Sequence, residues 1–129
     1  MEPSDRRYTK EHEWIRIEGA EAVVGITDYA QNQLGDVVFV ELPAVGRTLA
    51  KAEAFGVVES VKSVADLYAP VAGTVVAVND ALTAAPEEVN HSPYDEGWMV
   101  RLRLDSPADV ESLMDSEAYE RHLAAEGGA

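Results

Sequence analysis

The chain has 129 residues, of which 47% are hydrophobic and 26% are charged. This balance is typical of one globular domain and excludes a disordered chain. Its 24 acidic residues against 10 Lys and Arg give a formal net charge of −14, which repels phosphate backbones and anionic lipid headgroups. We therefore expect neither a nucleic acid nor a membrane as partner. The chain contains no cysteine, which excludes disulfides, thiol nucleophiles and Cys-ligated zinc.

Short valine-rich runs, separated by Gly, Pro and Asn, predict a mainly β chain. Two of these segments, 14–18 and 99–104, alternate apolar and charged residues in part, as half-exposed strands do. In chain order, we predict strands at 14–18, 21–26, 36–41, 54–59, 64–69, 73–79 and 98–104.

Capping signals predict a few short helical segments between and after these strands. The segment 27–34 has Thr27 or Asp28 as its N-cap and Gly35 as its stop. Two further helix starts follow later in the chain. Ser106 precedes Pro107, a cap followed by a proline that suits the first helical position. Asp115 or Ser116 begins a last segment, which contains Tyr119 and Leu123 and ends at Gly127.

A shift of 27 residues aligns two parts of the chain with each other. Pro43 then falls on Pro70 and Gly46 on Gly73, and the apolar residues that follow each glycine also match. Each copy is a Pro-x-x-Gly turn followed by a strand. Two such copies favour a domain with approximate internal two-fold symmetry, in which each half buries its apolar face against the other. Chance similarity in an Ala/Val-rich chain is the alternative.

The ordinary catalytic and metal-binding motifs are missing. The sequence has no Gly-x-Ser-x-Gly elbow, no Walker loop and no His-Glu-x-x-His motif. The three histidines, His12, His91 and His122, lie far apart in the sequence. Glu11 and Glu13 flank His12, but a transition-metal site needs more nitrogen or sulfur ligands nearby. We therefore expect no metal site and no catalytic residue.

Lysine is scarce in this chain, which contains only Lys10, Lys51 and Lys62. Lys62 lies between two predicted strands, and Ser60 and Ser63 bracket a tight connection between them. This pattern places one ammonium at the tip of a hairpin. Such a lysine can serve only as a solubilising charge, or it can be a site of enzymatic acylation. The local pattern alone leaves both interpretations open.

The segment Glu59-Ser60-Val61-Lys62-Ser63, together with the segment 69–79, resembles the lipoyl-attachment region of the lipoyl/biotinyl-carrier superfamily. Biotinyl domains carry Ala-Met-Lys-Met at this lysine, so Ser-Val-Lys-Ser favours lipoyl. Other segments are similar to the H proteins of the glycine cleavage system and are lacking in ordinary lipoyl domains. They are His12-Glu13-Trp14, Gly25-Ile26-Thr27-Asp28-Tyr29-Ala30-Gln31, Leu34-Gly35-Asp36-Val37-Val38, Ser92-Pro93-Tyr94 and Gly97-Trp98-Met99.

The resemblance implies a mainly β fold, a barrel–sandwich hybrid of short antiparallel strands with internal two-fold symmetry. Short helices and a C-terminal helical segment accompany this β structure. The resemblance also implies one lipoyl-carrier domain over 1–129, with a core at about 8–105 and the helical segment at about 106–126.

The same resemblance implies a carrier protein and not an enzyme. Its cofactor is lipoate, joined by an amide bond to Lys62, and the flanks of the attachment site are Glu59, Ser60, Val61 and Ser63. The implied partners are a lipoate-attaching enzyme and three enzymes of the system. A pyridoxal-phosphate glycine decarboxylase (P protein) loads an aminomethyl group. An aminomethyltransferase (T protein) unloads it onto tetrahydrofolate, and dihydrolipoamide dehydrogenase (L protein) reoxidises the dithiol.

Two acids are candidates for holding the loaded arm in a cleft, where an ammonium needs a carboxylate within hydrogen-bond reach. Asp66 lies four residues after Lys62, on the returning strand of the same hairpin. Glu13 lies in one of the segments that distinguish H proteins from ordinary lipoyl domains.

Three alternatives remain at this level. They are a biotin carrier, a non-lipoylated interaction module of the same fold, and a relay that hands lipoate to other enzymes. The first residues contain neither an apolar core segment nor an Arg/Ser-rich transit pattern. We therefore expect a bacterial cytoplasmic protein, with the mature form of a mitochondrial matrix protein as the less favoured option.

Overall fold

The computed structural model describes residues 2–126, and its strands follow the valine-rich runs of the sequence. Within this range the strands are β1 (Arg7–Tyr8), β2 (Glu13–Glu18), β3 (Glu21–Ile26), β4 (Val37–Glu41), β5 (Thr48–Leu49), β6 (Ala54–Ser60), β7 (Val64–Tyr68), β8 (Gly73–Val78) and β9 (Val100–Leu104). The helices are α1 (Asp28–Leu34), α2 (Ala81–Ala84), α3 (Glu88–His91), α4 (Ser116–Ala125) and a 3₁₀ helix at Pro107–Ser112.

All seven predicted strands are confirmed, with ends that differ by at most two residues. The sequence analysis missed β1 and β5 because a two-residue strand shows no apolar alternation. It also missed α2 and α3. Each has only four residues, and neither has a side-chain hydrogen bond at its N-cap that a capping signal could reveal.

The strands form two antiparallel sheets, with the orders β1-β2-β3-β9-β8-β5 and β4-β6-β7. One apolar core joins them, which confirms the mainly β sandwich. The six-stranded sheet contributes Val24, Val75 and Leu102 to this core, and the three-stranded sheet contributes Val40, Val58 and Leu67.

The internal two-fold symmetry is visible in the order of the strands. In one sheet β9 lies between β3 and β8, and in the other β6 lies between β7 and β4. Exchanging β3 with β7, β4 with β8 and β6 with β9 therefore exchanges the two sheets and preserves these pairings. The 27-residue spacing is not the spacing of the halves. It aligns β5 with its own hydrogen-bonded neighbour β8, in which Thr48 pairs with Thr74.

The caps predicted for α1 are confirmed. The hydroxyl of Thr27 accepts a hydrogen bond from the N–H of Ala30 at 3.2 Å. Gly35 ends the helix with a φ of 79°, in the left-handed region that glycine adopts without a Cβ clash, and its N–H donates to the carbonyl of Gln31. Residues next to α1 in the sequence therefore determine where the helix begins and ends.

The C-terminal segment begins as predicted and packs through aromatic residues. The carboxylate of Asp115 caps α4 by accepting from the N–H of Ala118 at 2.8 Å. Tyr119 of this helix stacks on Tyr8 of β1, with ring centroids 4.7 Å apart. The side chain of Ser106, by contrast, makes no capping hydrogen bond, and a 3₁₀ helix follows it. The predicted end of the segment, at 127, lies outside the described residues.

No helix among the described residues is long and apolar enough to span a membrane.

We predict that Gly25→Ala lowers the free energy of unfolding by about 2 kcal/mol, a value within the range for overpacked cores. An added Cβ would lie 2.6 Å from the ring of Trp14, which is fully buried. The ring cannot easily move away, since its N–H donates to the carbonyl of Pro93 at 2.9 Å and the guanidinium of Arg6 lies over it. Urea unfolding followed by tryptophan fluorescence measures the change. An unchanged midpoint would contradict this account of the packing.

Candidate functional site

Lys62 lies at the tip of the β6–β7 hairpin, as the sequence predicts. Val61 and Lys62 form a two-residue connection between Ser60 and Ser63, and the N–H of Ser60 donates to the carbonyl of Ser63 at 2.8 Å. The hydroxyl of Ser60 accepts from the N–H groups of Lys62 at 3.3 Å and Ser63 at 3.1 Å. The backbone at the tip is therefore held in place while the lysine side chain remains exposed.

The connection between α1 and β4, residues 35–36, contacts the hairpin tip and helps to hold it in place. The N–H of Val61 donates to the carbonyl of Asp36 at 3.1 Å. The aliphatic stem of Lys62 passes close to Gly35, where an added Cβ would lie 3.4 Å from the lysine Cε. The first part of the lysine side chain thus lies along the C-terminal end of α1, next to Leu34.

Asn90 of α3 holds this connection together, and the sequence analysis did not identify it. Its amide donates to the side-chain carbonyl of Gln31 at 2.9 Å and to the backbone carbonyl of Gly35 at 2.8 Å. Its own carbonyl accepts from the N–H of Val37 at 2.8 Å. No local pattern around Asn90 signals this role, because all three partners lie more than 50 residues earlier in the chain.

Exposed apolar side chains lie on both sides of Glu59 on the three-stranded sheet, beside the hairpin tip. Phe39 pairs with Glu59, and Glu59 pairs with Val64, so the three side chains share one face. Phe39 is 47% exposed, Val64 65% and Val61, at the tip, 70%. Apolar side chains grouped in this way on an exposed surface are typical of a contact surface for another protein.

A groove of about 200 Å³ opens between α1, the start of β2 and the hairpin that carries Lys62. Both predicted acids, Glu13 and Asp66, line it, although they lie on different strands. Its apolar lining consists of Ile26, Ala30, Leu34, Val58, Ala65 and Leu67. Glu11 lines it as well, so the groove combines a hydrocarbon wall with three carboxylates.

Glu13 and Asp66 differ strongly in their surroundings. Glu13 is only 3% exposed. Its carboxylate accepts hydrogen bonds from the hydroxyl of Thr9 at 2.8 Å and the N–H of Tyr68 at 3.2 Å. Burial nevertheless raises the pKa of Glu13 to about 7, because the charged form loses its hydration. Asp66, in the middle of β7, is exposed to solvent.

Comparison with known proteins gives consistent similarities over nearly the whole chain. The family model "Glycine cleavage H-protein" matches residues 6–126. A glycine cleavage system H protein of Anaeromyxobacter sp. (strain K) is 58% identical over 117 residues, 91% of each chain. A protein of the same name from Nitratidesulfovibrio vulgaris (strain DP4) is 59% identical over 124 residues, 96% of each chain.

A solved structure shows the same similarity in three dimensions. The crystal structure of a glycine cleavage system H protein from Mycobacterium marinum matches with a TM-score of 0.84 and 38% sequence identity. The match covers 97% of this chain and 98% of that chain.

We predict that Asn90→Ala lowers the free energy of unfolding by about 2–3 kcal/mol, since each of the three lost hydrogen bonds is worth about 1 kcal/mol and the N–H of Val37 loses its partner. Urea unfolding measures the loss. Asn32→Ala is the matched control, since Asn32 is exposed on α1 and its replacement should change stability little. Equal effects of the two substitutions would refute a bridging role for Asn90.

Proposed function

The chain belongs to the glycine cleavage H-protein family, and we propose that it serves this system as a shuttle that carries lipoate on Lys62. The observation that carries the proposal is the placement of this lysine. It is exposed at a hairpin tip whose backbone is held by Ser60 and by the α1–β4 connection. An amine displayed in this way is accessible to a lipoate-attaching enzyme, and its starting position is well defined.

The surroundings of Lys62 suit a long acyl group. When bound, lipoate supplies a dithiolane that can be reduced, loaded and reoxidised. The stem of Lys62 lies along Gly35, and the neighbouring Leu34 already lines the groove. Asp66, the third residue of β7 and four residues after Lys62, lies at most about 13 Å further at the usual rise of a strand. We infer that the apolar wall of this groove accepts the hydrocarbon part of the arm.

Glu13 and Asp66 have different roles in this proposal. We infer that Glu13 holds the ammonium of the aminomethyl cargo inside the groove, where water is limited. A cation beside Glu13 favours the charged carboxylate and lowers its pKa from about 7, so cargo and acid stabilise each other's charge. Asp66 is exposed, and its attraction for the same ammonium is weakened by solvent.

In this proposal the chain is a carrier and not an enzyme, and the chemistry belongs to its partners. These are the glycine decarboxylase, the aminomethyltransferase, dihydrolipoamide dehydrogenase and a lipoate-attaching enzyme. The exposed apolar side chains of Phe39 and Val64 support contact with other proteins. The proposal treats 1–129 as one lipoyl-carrier domain. It places the chain in the bacterial cytoplasm, which agrees with the bacterial origin of the relatives named above.

We predict that Lys62→Arg abolishes lipoylation, because a guanidinium does not form the amide, while stability stays within about 0.5 kcal/mol of wild type. Intact-mass measurement after reaction with lipoate and a competent ligase tests this. Lys51→Arg is the control, since Lys51 is also exposed and should leave the lipoyl mass increment unchanged. A lipoyl increment on the Lys62 variant, or a biotinyl increment on the wild type, would contradict the proposal.

We predict that Glu13→Gln speeds the spontaneous loss of the aminomethyl cargo about tenfold, which corresponds to one charge-assisted hydrogen bond of about 1.5 kcal/mol. The substitution preserves the size of the side chain and removes its charge. Ammonia release from the loaded protein measures the decay. Lipoylation and reoxidation of the arm should be unchanged.

Two further variants make this measurement specific. Asp66→Asn should have a smaller effect than Glu13→Gln, because Asp66 is exposed. Glu87→Gln removes an exposed acid that does not line the groove and should not change the decay. If all three variants lose the cargo at the wild-type rate, neither Glu13 nor Asp66 protects it.

A further inference from the structure

We propose that His12, His122 and Glu126 form a binding site for a divalent transition metal, with Zn²⁺ as the best-suited ion. One potential ligand atom from each residue lies within 4.8 Å of those of the other two. The distance from His12 Nε2 to Glu126 Oε1 is 3.3 Å, and from His122 Nε2 to Glu126 Oε2 it is 2.9 Å. This site is separate from the lysine that carries the proposed cofactor.

The set of donors matches the chemistry of zinc. Two imidazole nitrogens and one carboxylate, with a fourth position open to water, are a common zinc environment. Ligand atoms of a tetrahedral zinc stand about 3.4 Å apart, so a separation of 4.8 Å would have to close by about 1.4 Å. Glu126 can adjust its position, because its side chain is 38% exposed and follows the last residue of α4.

The orientation of His12 is fixed by groups behind it. Its Nδ1 lies 2.8 Å from the hydroxyl of Tyr119, which in turn lies 2.8 Å from the hydroxyl of Thr27. This arrangement leaves Nε2 as the nitrogen that faces Glu126. Hydrogen bonds of this kind to the second ring nitrogen set the tautomer and the direction of metal-binding histidines.

His122 presents a nitrogen that the surrounding protein does not satisfy. Its Nε2 is buried and has no hydrogen-bond partner among residues 2–126. The approach of Glu126 to 2.9 Å is an ion-pair contact without hydrogen-bond geometry. Buried polar atoms are almost always paired, so an unpaired nitrogen that points at a carboxylate and a second imidazole calls for a ligand.

His12 has a φ of 70°, in the left-handed region, where histidine is one of the enriched non-glycine residues. The backbone at this turn is therefore compatible with a histidine. The excess of acidic residues also favours a bound cation.

This inference revises the expectation of no metal site, which rested on the distance between the histidines in the sequence. The fold brings the rings of His12 and His122 to 5.8 Å, because α4 packs beside the turn before β2. His12 also lines the groove. A bound metal would join the C-terminal helix to one wall of that groove.

Isothermal titration calorimetry of the untagged full-length chain with ZnCl₂ tests the site. We expect one Zn²⁺ per chain with a dissociation constant in the micromolar range. His122→Gln and Glu126→Gln should each weaken binding at least tenfold. His91→Gln is the control, since His91 is exposed, with its Nδ1 3.6 Å from a carboxylate oxygen of Glu88, and is not part of this cluster, so zinc binding should be unchanged.

Two results would overturn the proposal. One is the absence of saturable binding of one equivalent. The other is wild-type affinity in both His122→Gln and Glu126→Gln. Circular dichroism checks that the variants are folded, and Glu126 is exposed, so its replacement should preserve the fold even if that of His122 does not. Zinc should also raise the melting temperature of the wild type and not that of a folded variant.

Discussion

The hydrogen bonds that join the β6–β7 hairpin tip to the α1–β4 connection determine how the whole site is arranged. The carrier role proposed for Lys62 needs an exposed side chain on a fixed backbone, so that the arm always starts from one place. Val61 meets this need by donating to Asp36, and Ser60 by closing the turn. Asn90 then fixes the supporting connection through Gly35 and Gln31. Rigidity is thus confined to the backbone, and the lysine side chain keeps its freedom.

The pseudo-two-fold symmetry relates the strands of the two sheets, and the site lies where the connections between the strands break this symmetry. The helix α1 is inserted between β3 and β4, whereas the corresponding connection between β7 and β8 is only 69–72. The groove is therefore present beside one half of the molecule. The insertion between β8 and β9 contains α3 and brings Asn90 back to the end of α1. The symmetric strands form the core, and the two unequal insertions form the face that contains the groove and the support of Lys62.

The sequence predicts what depends on local pattern or on a recognisable motif. The seven longer strands, the caps Thr27 and Asp115 and the exposed position of Lys62 all follow from short-range signals. The spacing of the two halves could not be predicted in this way, because the Pro-x-x-Gly turns precede two strands that pair with each other. Nor could the role of Asn90 or the approach of His122 to His12, since these contacts join distant parts of the chain. Such contacts depend on packing that no short window of sequence contains.

The role proposed for Glu13 opposes the stability of the fold at higher pH. Among residues 2–126 it is the only buried acid, while the other acids are exposed or half-buried. Its pKa rises on folding from 4.5 to about 7, so its contribution to stability is fully present below 4.5 and is lost as the pH rises through 7. A glutamine could accept from the N–H of Tyr68 through its carbonyl and donate to the hydroxyl of Thr9 through its amide, without this pH-dependent loss. An ionisable group at this depth is better explained by a cation that visits the groove than by the needs of the core.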